Sequence, residues 1–296
     1  MTLDNHILAI EVSGHGAELV SLRKDGREYL WTGDAAFWNR HAPILFPVVG
    51  KPYGNTLHVD GTAYAMKQHG FARDSMFEPK GGGAEPDSLT LALVASGNDA
   101  IAQYPYRLGL EVCYRLRGNA VVAAWTVVNH DVRDAYFQIG AHPGFLLPDY
   151  NPDAPVHGYI RYYDREGRPV APVVVSALDD GNRIPLAGGP VGIPSEMPIV
   201  ADTFVRDALM FEDSQVSEAV LCDPSGERVL GVSCPQAEAY GIWAPHKPGC
   251  PFVCLEPWCG ICDSKGFTAD IAARRYIHRL APNGKYTFTY TIELYR

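Results

Sequence analysis

The stretch VCLEPWCGICD, Val253 to Asp263, places one carboxylate, Glu256, inside an apolar run and crowds three of the chain's seven cysteines around it. Three chemistries are compatible with it. Four cysteines, Cys250, Cys254, Cys259 and Cys262, could surround a zinc ion. Their spacings hold only one CxxC-like pair, however, whereas structural zinc sites usually join two. CGIC could be a redox pair, but that motif belongs at a helix start within a strand–helix–strand unit, and no such unit is readable here. The third reading is a strand that delivers one carboxylate to a pocket. A carboxylate after the buried-looking VCL run needs a partner or a task.

Two other stretches set ionisable side chains where strands turn. MKQHGFARD carries His69, Arg73 and Asp74 around Gly70, a residue free to adopt a backbone conformation that others avoid. FQIGAHPGF runs a strand-like FQIGA into His142, which Pro143 and Gly144 then stop. A single histidine near a turn is more often structural than catalytic, so neither stretch carries chemistry alone. Fingerprints for nucleotides are missing: GGG at Gly81 to Gly83 leads into an acidic, proline-containing loop rather than a helix. No GxSxG marks a nucleophilic serine.

The elements that must position these residues read as strands. Alternating or continuous apolar runs recur from end to end and are closed by turn pairs. These are Asp25-Gly26, Asp60-Gly61, Gly118-Asn119 and the turn around Pro224 to Gly226, and the chain ends in the alternating KYTFTYTIELY. The pattern predicts an all-β, antiparallel sandwich occupying residues 1–296 as one domain, with few and short helices. The helix candidate is Thr268 to Tyr276. Gly81 to Pro86 and Ala187 to Pro198 read as surface loops, and Glu256 as the end of its strand.

Composition narrows the partners. The 296 residues are 47% hydrophobic and 20% charged, as in a globular protein. A net charge of -9 argues against nucleic-acid binding, no apolar run reaches the length of a spanning helix, and MTLDNHILAI lacks the features of a signal peptide. A cytoplasmic location is expected, with reduced cysteines acting mostly as small buried apolar residues.

Taken together and in order, QHGFARD, GAHPGF and LEPWCGICD resemble the aldose 1-epimerase (galactose mutarotase-like) family, closest to its LacX-like branch. The likeness extends to WNRHAPILFPVVG at Trp38 to Gly50, FVRDALMF at Phe204 to Phe211, and the terminal strand. The resemblance implies a large antiparallel β-supersandwich with a sugar in an open cleft on one sheet. It also implies interconversion of the α and β anomers of a hexose or related aldose. Such a reaction needs a base at the C1 hydroxyl and an acid at the ring oxygen acting together. By resemblance Glu256 is the base and His142 the acid, with no metal or organic cofactor.

His69 matches a second site histidine that hydrogen-bonds the sugar near its ring oxygen. Arg73 and Arg40 are implied ligands of hydroxyl or phosphate groups, and Asp207 matches an acidic position of this branch. Trp258 and Trp243 are candidates to offer an aromatic face to the sugar or to belong to the core. Lys51 departs from the arginine common in relatives and cannot form its two-pronged contact. Two alternatives stay open: a hexose-6-phosphate 1-epimerase, and a non-catalytic carbohydrate-binding protein. The expected partner is a small sugar, without nucleic acid or membrane, bound by a monomer or homodimer.

Overall fold

The computed structural model describes residues 1–80, 88–93 and 104–296. Gly81 to Pro86 lies outside the described residues. Strands dominate, and helical structure among the described residues is confined to three short 3-10 turns, Tyr53–Asn55, Ala72–Asp74 and Ile271–Ala273.

A nine-stranded antiparallel sheet forms the larger layer. Its centre is the run Arg228–Ser233, Lys285–Leu294, Ala120–Asn129 and Leu108–Arg117. Every second residue of Leu108–Arg117 and Ala120–Asn129 is buried, as expected where one sheet face covers a core. Trp125 on that face is fully buried against Phe288 and Tyr290 of the terminal strand. The predicted turns appear where their residue types put them. Asp25-Gly26 and Asp60-Gly61 have positive φ at both positions, which suits a two-residue hairpin connection.

A six-stranded sheet carries the site. Along it lie Leu209–Phe211, Ala239–Trp243, Phe252–Cys259, Ile139–Ala141 and Ile44–Leu45, with Gly144–Leu146 also paired to Phe252–Cys259. All eight residues of Phe252–Cys259 are buried, because both faces of this strand are covered. Val253, Leu255 and Cys259 point into the main core, while Phe252, Cys254 and Trp258 belong to two smaller clusters on the opposite face. Glu256 lies between those clusters.

Three readings from sequence are corrected. Glu256 occupies the middle of its strand rather than the end. Pro257 misled, since proline is unusual inside a sheet. Here its missing N–H falls at a gap: the neighbouring Leu255 N–H donates to the Pro143 carbonyl at 3.1 Å, so Pro257 faces the same side, where His142 and Pro143 interrupt the adjoining strand. Within Thr268 to Tyr276 only Ile271–Ala273 is helical, a single 3-10 turn. The Asp270 side chain caps it at Ala272 N–H, and extended Arg274 ends it. Ala187 to Pro198 contains two short strands, Val191–Gly192 and Glu196–Pro198, recruited by pairing with Val173–Val174 and Tyr159–Tyr163. No helix among the described residues is long and apolar enough to cross a membrane.

Candidate active site

Glu256, Trp258, His142 and His69 each reach the site by a local device. Side chains alternate across a strand, so Cys254, Glu256 and Trp258 share the face opposite the core. Trp258 lies across the glycines of the two neighbouring strands. A Cβ on Gly241 would stand 2.4 Å from its indole, so a side chain there would displace the ring. His142 sits in the break between Ile139–Ala141 and Gly144–Leu146, where Pro143 supplies no N–H and the backbone turns away from regular pairing.

The third device is the sharp turn at His69 and Gly70, both with positive φ. A Cβ on Gly70 would stand 2.2 Å from the Phe46 carbonyl oxygen, so the close approach of these two segments requires glycine. The turn is clamped by backbone exchange. His69 N–H donates to Gly50 O at 2.8 Å, and Gly50 N–H donates to His69 Nδ1 at 3.1 Å. Because Nδ1 accepts, the ring proton of neutral His69 resides on Nε2, which meets the Gln68 side-chain amide at 3.2 Å, with the amide oxygen as its acceptor in that tautomer. The loop bearing Trp38 and Arg40 is pinned by buried Glu18, whose Oε1 accepts from the N–H groups of His41 and Ala42.

These devices converge on a cavity of about 320 Å³ lined by His69, Arg73, His142, Asp207, Glu256 and Trp258 among others. That volume lies at the small end of the usual range for ligand pockets, about 300–1,000 Å³, and suits a single sugar ring. His142 Nε2 and Glu256 Oε2 are 3.2 Å apart at its floor. The His69 and His142 rings meet edge to face with centroids 5.6 Å apart. Glu256 is 1% exposed and His142 8%, so the pair is almost removed from bulk water yet borders the cavity.

Burial sets the protonation of this pair. It holds His142 down to about 3, aided by the positive charge of Arg73. It pushes Glu256 well above the ordinary carboxylate range, helped by the negative charge of Asp207. His69 is likewise held well below the usual imidazole range by burial and then by Arg73. Burial therefore favours the uncharged form of each member, neutral imidazole on His142 and protonated carboxyl on Glu256, and it keeps His69 a neutral imidazole. Glu256 Oε2 and Arg73 Nε are buried without hydrogen-bond partners beside this cavity.

Not every predicted residue reaches the cavity wall. Arg40 is turned aside into an ion pair with Asp74 at 2.7 Å and is not part of the lining. Lys51 is also elsewhere engaged: its Nζ donates to the carbonyl and carboxylate of Asp180. Its stem packs under Gly181, so it shapes the wall without touching the contents. Asp207 stands exposed at the rim, where its carboxylate accepts from Ala208 N–H. Trp243 does join the lining, edge-on to His142 at 5.6 Å.

Sequence reading left out Trp38, which stacks on the His142 ring at 4.9 Å, and Gln68, Leu178 and Gly181. Trp38 and Gln68 sit one or two residues from arginine and histidine already singled out, which was the available signal. Leu178 and Gly181 come from a distant hairpin and have no chemical signature. The four cysteines considered for zinc are not gathered round one point. Cys254 faces the cavity side and Cys259 the core, and the possible metal-ligand groupings among the described residues contain one cysteine each: His142, Cys254 and Glu256, or Glu238, Cys259 and His278.

Comparison with known proteins identifies the family and the fold. The aldose 1-epimerase family model matches residues 1–293. The chromosomal LacX protein of Lactococcus lactis subsp. lactis is 26% identical over 277 residues, 88% of each chain. A galactose mutarotase related enzyme from Lactobacillus acidophilus superposes with a TM-score of 0.90 at 26% identity, covering 100% of this chain and 97% of the other. A galactose mutarotase-like protein from Lactobacillus casei ATCC 334 gives 0.86 at 26% identity, covering 100% and 99%. With a whole-chain family match and a strand scaffold shared with galactose mutarotase-like structures, the chain belongs to the aldose 1-epimerase family.

Proposed function

We propose that the protein is a mutarotase that interconverts the anomers of an uncharged hexose or related aldose, with Glu256 and His142 exchanging protons with the sugar. The observation that carries this reading is the 3.2 Å His142–Glu256 contact at the floor of a cavity sized for one ring. With the ring closed, the pair acts as carboxylate and imidazolium. Glu256 takes the proton of the C1 hydroxyl while His142 gives one to the ring oxygen, the bond between C1 and the ring oxygen breaks, and C1 becomes a carbonyl.

The pair is then carboxylic acid and neutral imidazole, the form that burial favours, so the site's electrostatics support the ring-opened state. Rotation about C1–C2 and reversal of both transfers close the other face. The total of one proton in the pair never changes. His69, through Nε2–H, hydrogen-bonds the ring oxygen, and Trp258 and Trp243 offer aromatic faces to the sugar's C–H groups.

Charge around the cavity favours a neutral substrate over a sugar phosphate. Among the described residues the lining holds one cation, Arg73, and one rim carboxylate, Asp207. Arg40, Lys51 and Arg183 are engaged by Asp74, Asp180 and Glu212. A phosphate dianion would meet a single guanidinium, that of Arg73, part of which already donates to the Gln68 carbonyl at 2.7 Å. Arg73, which lines the cavity, serves instead as a hydrogen-bond donor to hydroxyls.

Replacing Arg73 with Ala removes charge-assisted hydrogen bonds of about 1.5–3 kcal/mol, a loss of roughly 10- to 100-fold. We expect most of it in KM and little in kcat, measured by coupled assay at varied sugar. The overall reading is tested by polarimetry of freshly dissolved α-glucose and α-galactose. Decay to equilibrium should quicken in proportion to added protein, and an unchanged spontaneous rate for every aldose tried would refute it.

A further inference from the structure

The carboxylate and imidazole that face the sugar have a third neighbour. Cys254 is two residues before Glu256 on the same strand, so its thiol projects from the same face. A ring nitrogen of His142, Cys254 Sγ and a carboxylate oxygen of Glu256 all lie within 4.8 Å of one another. One of these separations, His142 Nε2 to Glu256 Oε2, is 3.2 Å, slightly under the nitrogen–oxygen spacing of about 3.3–3.4 Å expected around a tetrahedral zinc ion from its usual bond lengths.

The other mixed grouping, Glu238, Cys259 and His278, provides a contrast. There the Cys259 thiol donates to Gln236 O and accepts from Tyr286 O–H, and His278 shares a hydrogen bond with Glu238. That grouping is a satisfied hydrogen-bond circuit. In the cavity floor, Glu256 is 1% exposed and its Oε2 has no hydrogen-bond partner, an acceptor that a cation would complete.

The donor set decides which cation. Nitrogen, sulfur and oxygen together suit zinc and other borderline-soft divalent ions, and a thiolate disfavours magnesium and calcium. Three protein ligands with a fourth position open to a cavity is the arrangement of an open zinc site.

We propose that His142, Cys254 and Glu256 form a binding site for a soft divalent cation, zinc foremost, and that the bound ion shuts the reacting centre to sugar. The inhibition rests on the mutarotase reading above; the metal binding does not.

Cobalt(II) is the probe for binding, titrated into the full chain and followed by its thiolate charge-transfer band in the near ultraviolet and its visible bands. Saturation at about one ion per chain, reversal by zinc, and loss of the charge-transfer band in Cys254→Ala support the site. Cys254→Val, closer in volume to cysteine, gives a second folded variant should alanine leave a damaging cavity. Zinc should inhibit anomer exchange by the wild type. Both Cys254 variants should keep exchange and need at least about 10- to 100-fold more zinc, the range lost even when a ligand's outer partner is removed. Absence of a thiolate–cobalt band overturns the site, whatever the activity. Unchanged zinc sensitivity in the Cys254 variants overturns the inhibition.

Discussion

Glu256→Gln is expected to lower anomer exchange by about 10²- to 10⁴-fold, the usual worth of a positioned acid–base group. The glutamine amide fills the same space and leaves the cavity intact, but it cannot take the C1 hydroxyl proton. The same substitution should make the protein more stable at neutral pH. Burial raises the Glu256 carboxyl well above its ordinary value, so its contribution to stability is complete below about pH 4.5 and is lost as pH climbs towards the folded value. At pH 7 the wild type carries that cost and the variant does not. Thermal unfolding should show the variant melting higher at pH 7, with the gap closing near pH 4. A gain of about 1 kcal/mol corresponds to roughly 2–4 °C in a chain of this order of size. Lower activity accompanied by lower stability would mean that Glu256 is a structural acceptor.

The second large effect is the pH profile. An ordinary glutamate and histidine, titrating near 4.5 and 6.5, would share a single proton only across about two pH units. Burial separates the two values, with His142 moved down to about 3 and Glu256 well up. The pair gains a second proton, and loses its base, only near and below pH 3. It gives up its last proton, and loses its acid, only above the raised value of Glu256. We therefore expect kcat/KM to be flat from about pH 4 up to the raised value of Glu256, with an acid limb well below the ordinary histidine range. These limbs belong to the coupled pair rather than to either residue. His142→Asn should remove the acid limb near pH 3 and most of the rate. Adding Glu256→Gln to it should cost little more, since the two act as one unit. An acid limb centred near pH 6.5 would contradict this electrostatic picture.

Much of the fold could be read from turn chemistry and alternation. Asp25-Gly26 and Asp60-Gly61 state their hairpins locally, and the terminal strand states its two faces in KYTFTYTIELY. Where pairing partners decide, sequence said less. Val191–Gly192 and Glu196–Pro198 are too short to show a pattern and exist because distant strands accept them. Pro257 read as a strand terminator because the gap that accommodates it is made by His142 and Pro143, over a hundred residues earlier.

The site divides in the same way. His69, His142 and Glu256 announced themselves by residue type at turns or in an apolar run, and all three line one cavity. Arg40 and Lys51 had the right type, but Asp74 and Asp180 claim them, and nothing in the sequence pairs those residues in advance. Trp38 lines the cavity because Glu18 pins its loop, a contact between segments that no local pattern connects. The protonation of the pair is likewise a property of assembly, since it comes from burial under the surrounding aromatic side chains.

Magnetisation exchange between the two anomers of 1-13C-labelled glucose and galactose observes the proposed reaction at the carbon where it occurs. The expected result is exchange that scales with wild-type protein for at least one free hexose, is far weaker for glucose 6-phosphate, and falls to near the spontaneous rate with Glu256→Gln. Sugar bound in the cavity with no acceleration by the wild type, or acceleration that Glu256→Gln retains in full, would contradict the assignment of Glu256 and His142 as the groups that open the ring.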